Sequence, residues 1–168
     1  MGEKGDERIA IIFLLVGLYY VYGIPSYLDG TECPYLVRAA SYSFFHASWW
    51  HLAINCLAVW TIYRRPCKPC KDLVIPFLIA MAVYPLSFRP VIGFSNVLYA
   101  TLGLRTPPLS SPWWKRTEVY VFIAVTLAMA FIPRFSATTH IAAFLLGMAC
   151  ASIHRGYLKL TSDARRYL

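Results

Sequence analysis

Long apolar runs alternate with short polar connectors along the whole chain. The runs cover residues 9–28, 41–63, 73–88, 91–104, 117–132 and 136–153. A bilayer core of roughly 30 Å needs about 20 helical residues, so the pattern predicts six membrane-spanning helices. Residues 29–38, 64–72 and 105–116 read as polar loops. Pro76 and Pro85 predict bends in the third helix, which neighbouring helices can accommodate. The expected organisation is an N-terminal tail over 1–8, a membrane domain over 9–153 and a basic tail over 154–168. No small-residue cleavage motif follows the first run, so that run reads as an anchor and not as a removed signal.

Composition agrees with the pattern. Hydrophobic residues make up 58% of the 168 positions and charged residues 14%, against about 45–50% and about 25% in soluble domains. The expected class is an all-α, multi-pass membrane protein, in the inner or plasma membrane if the source is prokaryotic. The net charge of +8 is then a matter of topology and does not point to nucleic acid. With the N-terminus inside, 13 of the 16 Lys and Arg lie on inner segments, and only Arg38, Arg89 and Arg134 lie outside. The positive-inside rule therefore predicts both termini in the cytoplasm.

The fourth run is short. From Ser95 to Leu104 a helix covers roughly 15 Å at about 1.5 Å per residue, half the hydrocarbon thickness. Ser95 is then expected below the outer surface, at the mouth of a water-accessible recess. The plainer alternative is a tilted or partly re-entrant helix; separately, a serine after glycine at a helix start is often only a cap.

Three stretches carry candidate chemistry: HASWWHLAIN at 46–55, GFSNVLYATLG at 93–103 and THIAAFLLG at 139–147. Polar groups inside a membrane are costly and by default suggest function. Ser95 opens an apolar helical run, where free backbone N–H groups and a partial positive charge suit a negatively charged intermediate. His140 opens the sixth run at a similar depth. Ala143 and Gly147 follow it at a spacing that allows close helix approach. Serine with histidine in reach is the minimum nucleophile–base pair, and Tyr99, one turn beyond Ser95, is expected to stack on the His140 ring. Asp29 and Glu32 are loop residues and supply no third member. His51 and Asn55 share a helix face. His46 lies roughly 140° away on the same helix and is expected to point elsewhere, as a hydrogen-bonded interfacial side chain.

Other readings are weaker. The five cysteines are scattered and odd in number, which argues against a disulfide framework. Cys67 and Cys70 form a lone CxxC on the expected inner side, where thiols stay reduced, with no partner pair for zinc. A metal or haem site on His46, His51 and His140 would need these rings to converge with a carboxylate or thiolate, and none stands beside them.

Together the motifs resemble those of the rhomboid intramembrane serine proteases of the minimal six-helix type, over about residues 9–153. His46, His51 and Asn55 resemble the family's second-helix motif. Gly93, Ser95, Tyr99 and Gly103 resemble its GxSG helix start, and His140 with Gly147 resembles its sixth-helix motif. Arg38 falls where the family has the arginine of a Trp-Arg pair, with Val37 in place of tryptophan. The resemblance implies a Ser95–His140 dyad, an oxyanion hole from His51, Asn55 and the Ser95 N–H, and substrates that are single transmembrane segments cut near the outer face. It implies no metal or cofactor. Asn96 replaces the usual glycine after the serine, where its side chain would crowd the oxyanion site or add a donor. Ala143 replaces a usual glycine. The alternative function is a catalytically weak or inactive protein of the same fold that binds transmembrane helices.

Overall fold

A computed structural model describes residues 7–22, 34–63, 73–87, 92–107, 111–112, 117–130 and 136–164. Its elements are α1 (Glu7–Tyr22), α2 (Tyr35–Ser41) with a 3₁₀ turn (Tyr42–Phe44), α3 (Trp49–Ile62), α4 (Val74–Val83) with a 3₁₀ turn (Tyr84–Leu86), α5 (Ser95–Arg105), α6 (Thr117–Ala130) and α7 (Ala137–Ala164). Every regular element among the described residues is helical. The CxxC cysteines, Asp29, Glu32, the end of the first apolar run and most of the connectors lie outside the described residues.

Three boundaries differ from expectation, each for a local reason. The second apolar run is not one helix: Ser48 sits in extended backbone and its side chain accepts from the His51 N–H, so α3 begins at Trp49. This side-chain N-cap satisfies an orphan donor of the first turn. The connector expected at 29–38 contains the start of a helix, because Pro34 stands at the N-cap of α2, a place that needs no N–H from it. The sixth helix runs through to Ala164. No proline interrupts the sequence past Ile153, and an added Cβ on Gly156 would meet nothing within 4 Å.

Helix α5 lies at the centre. Every residue from Ser95 to Gly103 is buried, as expected of a helix enclosed on all sides. It packs most extensively on α7, then on α4, α6 and α3, while α1 packs on α3. One face of α5 joins Phe94, Val97 and Leu98 to Leu15, Tyr42, Leu52, Val59 and Tyr63. The other joins Tyr99, Ala100 and Leu102 to Ile79, Val83, Ala143 and Phe144.

The α5–α7 contact is close because it uses backbone. A Cβ on Gly103 would stand 2.1 Å from the Phe144 carbonyl oxygen, and one on Gly147 would stand 2.4 Å from that of Ala100. Atoms cannot approach so closely, so only glycine fits either position. Small residues at helix contacts serve this role in membranes.

One end of the bundle carries cations. Arg105 Nη1 donates to the Ile62 carbonyl at the end of α3, and its guanidinium lies 5.2 Å from the Tyr63 ring centroid. Arg155 Nη1 donates to the Thr106 carbonyl just beyond α5 at 3.2 Å. Arg8 lies 4.3 Å over the Trp60 ring. Cations at helix C-termini complete orphan carbonyls and oppose the helix dipole.

The outward faces are apolar. Phe13, Leu57, Leu78, Leu127 and Leu145 are all exposed, which is a surface suited to lipid. Among the described residues, α7 alone is long and apolar enough to cross a membrane, over Ala137–Ser162, while Arg8–Tyr22, Trp49–Ile62 and Val74–Leu86 are shorter apolar helices.

Candidate active site

Ser95 is the first residue of α5, and Phe94 at the N-cap makes no side-chain cap. The serine hydroxyl is therefore not used as a cap. It lies instead 2.7 Å from Nε2 of His140, on α7. Both residues are buried, with Ser95 retaining 9% exposure.

The tautomer of His140 follows from its other contact. Nδ1 lies 2.5 Å from the Ser136 carbonyl oxygen, one turn earlier. A carbonyl can only accept, so Nδ1 carries the proton. In neutral imidazole Nε2 is then the acceptor, and the Ser95 hydroxyl donates to it. Such an arrangement takes a proton from serine without a carboxylate. Thr139 Oγ1 donates to the same carbonyl at 3.1 Å, which helps fix the turn.

Tyr99 touches His140, but not as a stacked pair. Their centroids are 4.7 Å apart and the planes meet at 67°, so the tyrosine presents an edge contact. Thr126 on α6 donates to the Tyr99 hydroxyl at 3.3 Å, and Phe122 packs edge-on to the same ring at 5.5 Å.

Gly93 shapes the turn before the serine. Its φ is +126°, in the region that favours glycine. A Cβ there would stand 2.5 Å from Cε1 and 2.7 Å from Nε2 of His51, and 3.4 Å from Nδ2 of Asn55. Both α3 side chains therefore press on the turn that leads into Ser95. Asn55 Nδ2 is buried and meets no hydrogen-bond partner among the described residues. An unpartnered buried donor costs free energy, and here it stands beside the serine turn, where an oxyanion would use it.

His46 departs from expectation. It is fully buried, and among the described residues neither ring nitrogen meets a partner at hydrogen-bond geometry. Its ring meets His51 edge to face, 5.2 Å between centroids. The helical-angle argument does not apply, because α3 begins three residues after His46. No third metal-ligating residue joins the two rings among the described residues.

Asn96 neither crowds the serine turn nor donates into it. Its Nδ2 donates to the Tyr42 hydroxyl at 3.0 Å, and that hydroxyl donates to the Ala80 carbonyl at 2.8 Å. Ala143 is buried against α5. Sequence reasoning missed both Ser48 and Tyr42. Ser48 had a legible signal, a serine three residues before His51 at a helix start. Tyr42 had none, since its partners are distant in sequence.

No curated protein matches the chain. The family model described as the Rhomboid domain matches residues 34–156, from the start of α2 well into α7 and across every side chain of the site. The chain belongs to the rhomboid family of helical membrane proteins.

Proposed function

We propose that the protein is an intramembrane serine endopeptidase that hydrolyses peptide bonds in or next to transmembrane segments. The observation that carries this reading is the buried Ser95–His140 hydrogen bond with its tautomer set by Ser136. Ser95 Oγ attacks the substrate carbonyl carbon as Nε2 of His140 takes the hydroxyl proton. The negative charge that develops on the carbonyl oxygen is met by the Ser95 N–H, Asn55 Nδ2 and His51. His140 then returns the proton to the leaving amine, and an acyl-enzyme forms on Ser95. Water, deprotonated by the same nitrogen, hydrolyses the ester and restores the serine.

The membrane arrangement is part of the proposal. The helices α1, α3, α4, α5, α6 and α7 correspond to the six apolar runs, with both termini cytoplasmic. The placement of Arg8, Arg105 and Arg155 at one end of the bundle, opposite Ser95, supports this orientation. The outward apolar side chains support a lipid surround. Substrates are then transmembrane proteins entering from the bilayer, cut near the outer face, and the reaction draws on no metal or cofactor.

Binding without cleavage is the competing function, and Asn96 was the residue that suggested it. Its amide is engaged with Tyr42, so it does not obstruct the serine, which favours the enzyme. The test is cleavage of a model single-span substrate in liposomes, with Ser95→Ala as the blank and protease protection of terminal tags to read orientation. Cleavage by the parent alone supports the reading. Binding of the substrate with no Ser95-dependent product sinks it.

A further inference from the structure

Tyr42 holds the serine turn from both sides. Its backbone carbonyl accepts the Gly93 N–H at 3.0 Å. Its hydroxyl accepts from Asn96 Nδ2 at 3.0 Å. Gly93 and Asn96 bracket Ser95, two residues before and one after. The ring itself is fixed independently. It is fully buried, lies 4.9 Å from the Tyr84 ring, and anchors through its hydroxyl to Ala80 on α4. The local chain explains that anchor. Pro85 has no N–H, the Tyr84 N–H bonds the Met81 carbonyl as α4 tightens into its 3₁₀ turn, and the Ala80 carbonyl takes the tyrosine hydroxyl.

We infer that Tyr42 is a positioning residue, which with Asn96 fixes the Ser95 hydroxyl on Nε2 of His140. The inference rests on reading Ser95 as the nucleophile. The argument is geometric. The Ser95 hydroxyl is bonded to His140 on α7, and its orientation also depends on the backbone on either side of it. That backbone is hydrogen-bonded through Tyr42 to the α4 side of the bundle. Removing the hydroxyl strands the Asn96 amide in a buried site, and a stranded amide draws the first turn of α5 toward another partner. Catalytic geometry is sensitive to shifts of this size.

The test uses the full chain in detergent, with two readouts. One is the rate of labelling by a fluorophosphonate, per folded molecule. The other is the ¹⁵N spectrum of labelled histidine, in which Ser95→Ala identifies the signal of the His140 nitrogen that accepts the serine hydroxyl. Tyr42→Phe is expected to slow labelling roughly 10–100-fold and to weaken that hydrogen-bond signature. Asn96→Gly, which leaves no amide to strand, is expected to slow labelling by less. The double variant Tyr42→Phe with Asn96→Gly should label like Asn96→Gly alone, so the second change rescues the first. A brace that merely adds stability predicts instead a lower melting temperature with unchanged spectrum and labelling, and that result overturns the inference, as does an additive double variant. If Tyr42→Phe does not fold, Asn96→Gly decides: parent-like labelling and spectrum overturn the inference. A parent that shows the His140 signature yet never labels removes the protease reading alone, and the spectra of the variants still decide whether Tyr42 positions the serine.

Discussion

The Ser136 carbonyl oxygen accepts the Nδ1–H of His140, and this contact makes Nε2 the proton acceptor for Ser95. In this pair the backbone does what a carboxylate does in a triad, orienting the ring and choosing the tautomer. In the proposed reaction the hydroxyl and the ring act as one unit, and units of this kind give non-additive losses. Ser95→Ala and His140→Ala should each abolish substrate turnover while the protein still inserts and folds. The double variant should be no worse than either single one. Turnover assays on the three variants check this, and clear residual activity in Ser95→Ala would point to another nucleophile.

Gly93 should tolerate no side chain. Its positive φ costs about 1–3 kcal/mol in any other residue, and the added methyl would overlap His51. Gly93→Ala should lower the melting temperature and reduce turnover at least as much as removing His51. Thermal unfolding in detergent and turnover measured on the same preparation read both effects. A variant as stable and active as the parent would contradict the turn geometry.

Asn55→Ala should reduce turnover roughly 10²–10³-fold, the loss typical of one oxyanion donor, with little loss of stability. The donor makes no native hydrogen bond that its removal would break. His46→Ala should behave differently. It removes a buried ring that rests on His51, so it should lower stability and also reduce activity through a displaced His51. The His46→Ala, His51→Ala double variant should then lose less activity than the product of the two single losses. Independent losses would show that the ring contact does not position His51.

The contact between α5 and α7 carries Ser95 and His140, the two members of the proposed dyad, so widening it should separate them. Gly103→Ala and Gly147→Ala each place a methyl within 2.5 Å of a facing backbone oxygen. Overpacking of this kind costs about 1–3 kcal/mol, occasionally more. Both variants should unfold at lower temperature and label more slowly per folded molecule. Gly17→Ala, whose Cβ would meet nothing within 4 Å, is the control and should match the parent.

The parts legible in the sequence are those fixed by local chemistry. Apolar runs locate the helices because burial and hydrogen-bond satisfaction in lipid leave few alternatives. Ser95 and His140 stood out because a polar group at a span end is costly unless used. The misread parts depend on where a helix begins and on contacts between distant segments. The apolar run over 41–63 masks the one local signal of the Ser48 cap, a serine three residues before His51, and so the run reads as a single helix that would include His46. Asn96 finds its partner 54 residues away, across a packing arrangement that spacing alone does not encode. Tyr99 was expected to stack, but the orientation of a ring depends on its neighbours, here Phe122 and Thr126. The sequence past Ile153 carries basic residues, which read as a tail, yet nothing in it stops a helix.

The most direct measurement is covalent labelling of the purified protein by a fluorophosphonate, compared with Ser95→Ala and His140→Ala. A hydroxyl hydrogen-bonded to an unprotonated imidazole nitrogen, beside the proposed oxyanion donors, should react with the phosphorus centre and retain the label. The account predicts labelling of the parent at a single site, identified as Ser95 by peptide mass, and none in either variant. Absence of labelling in folded parent protein, or labelling that persists in Ser95→Ala, would contradict it.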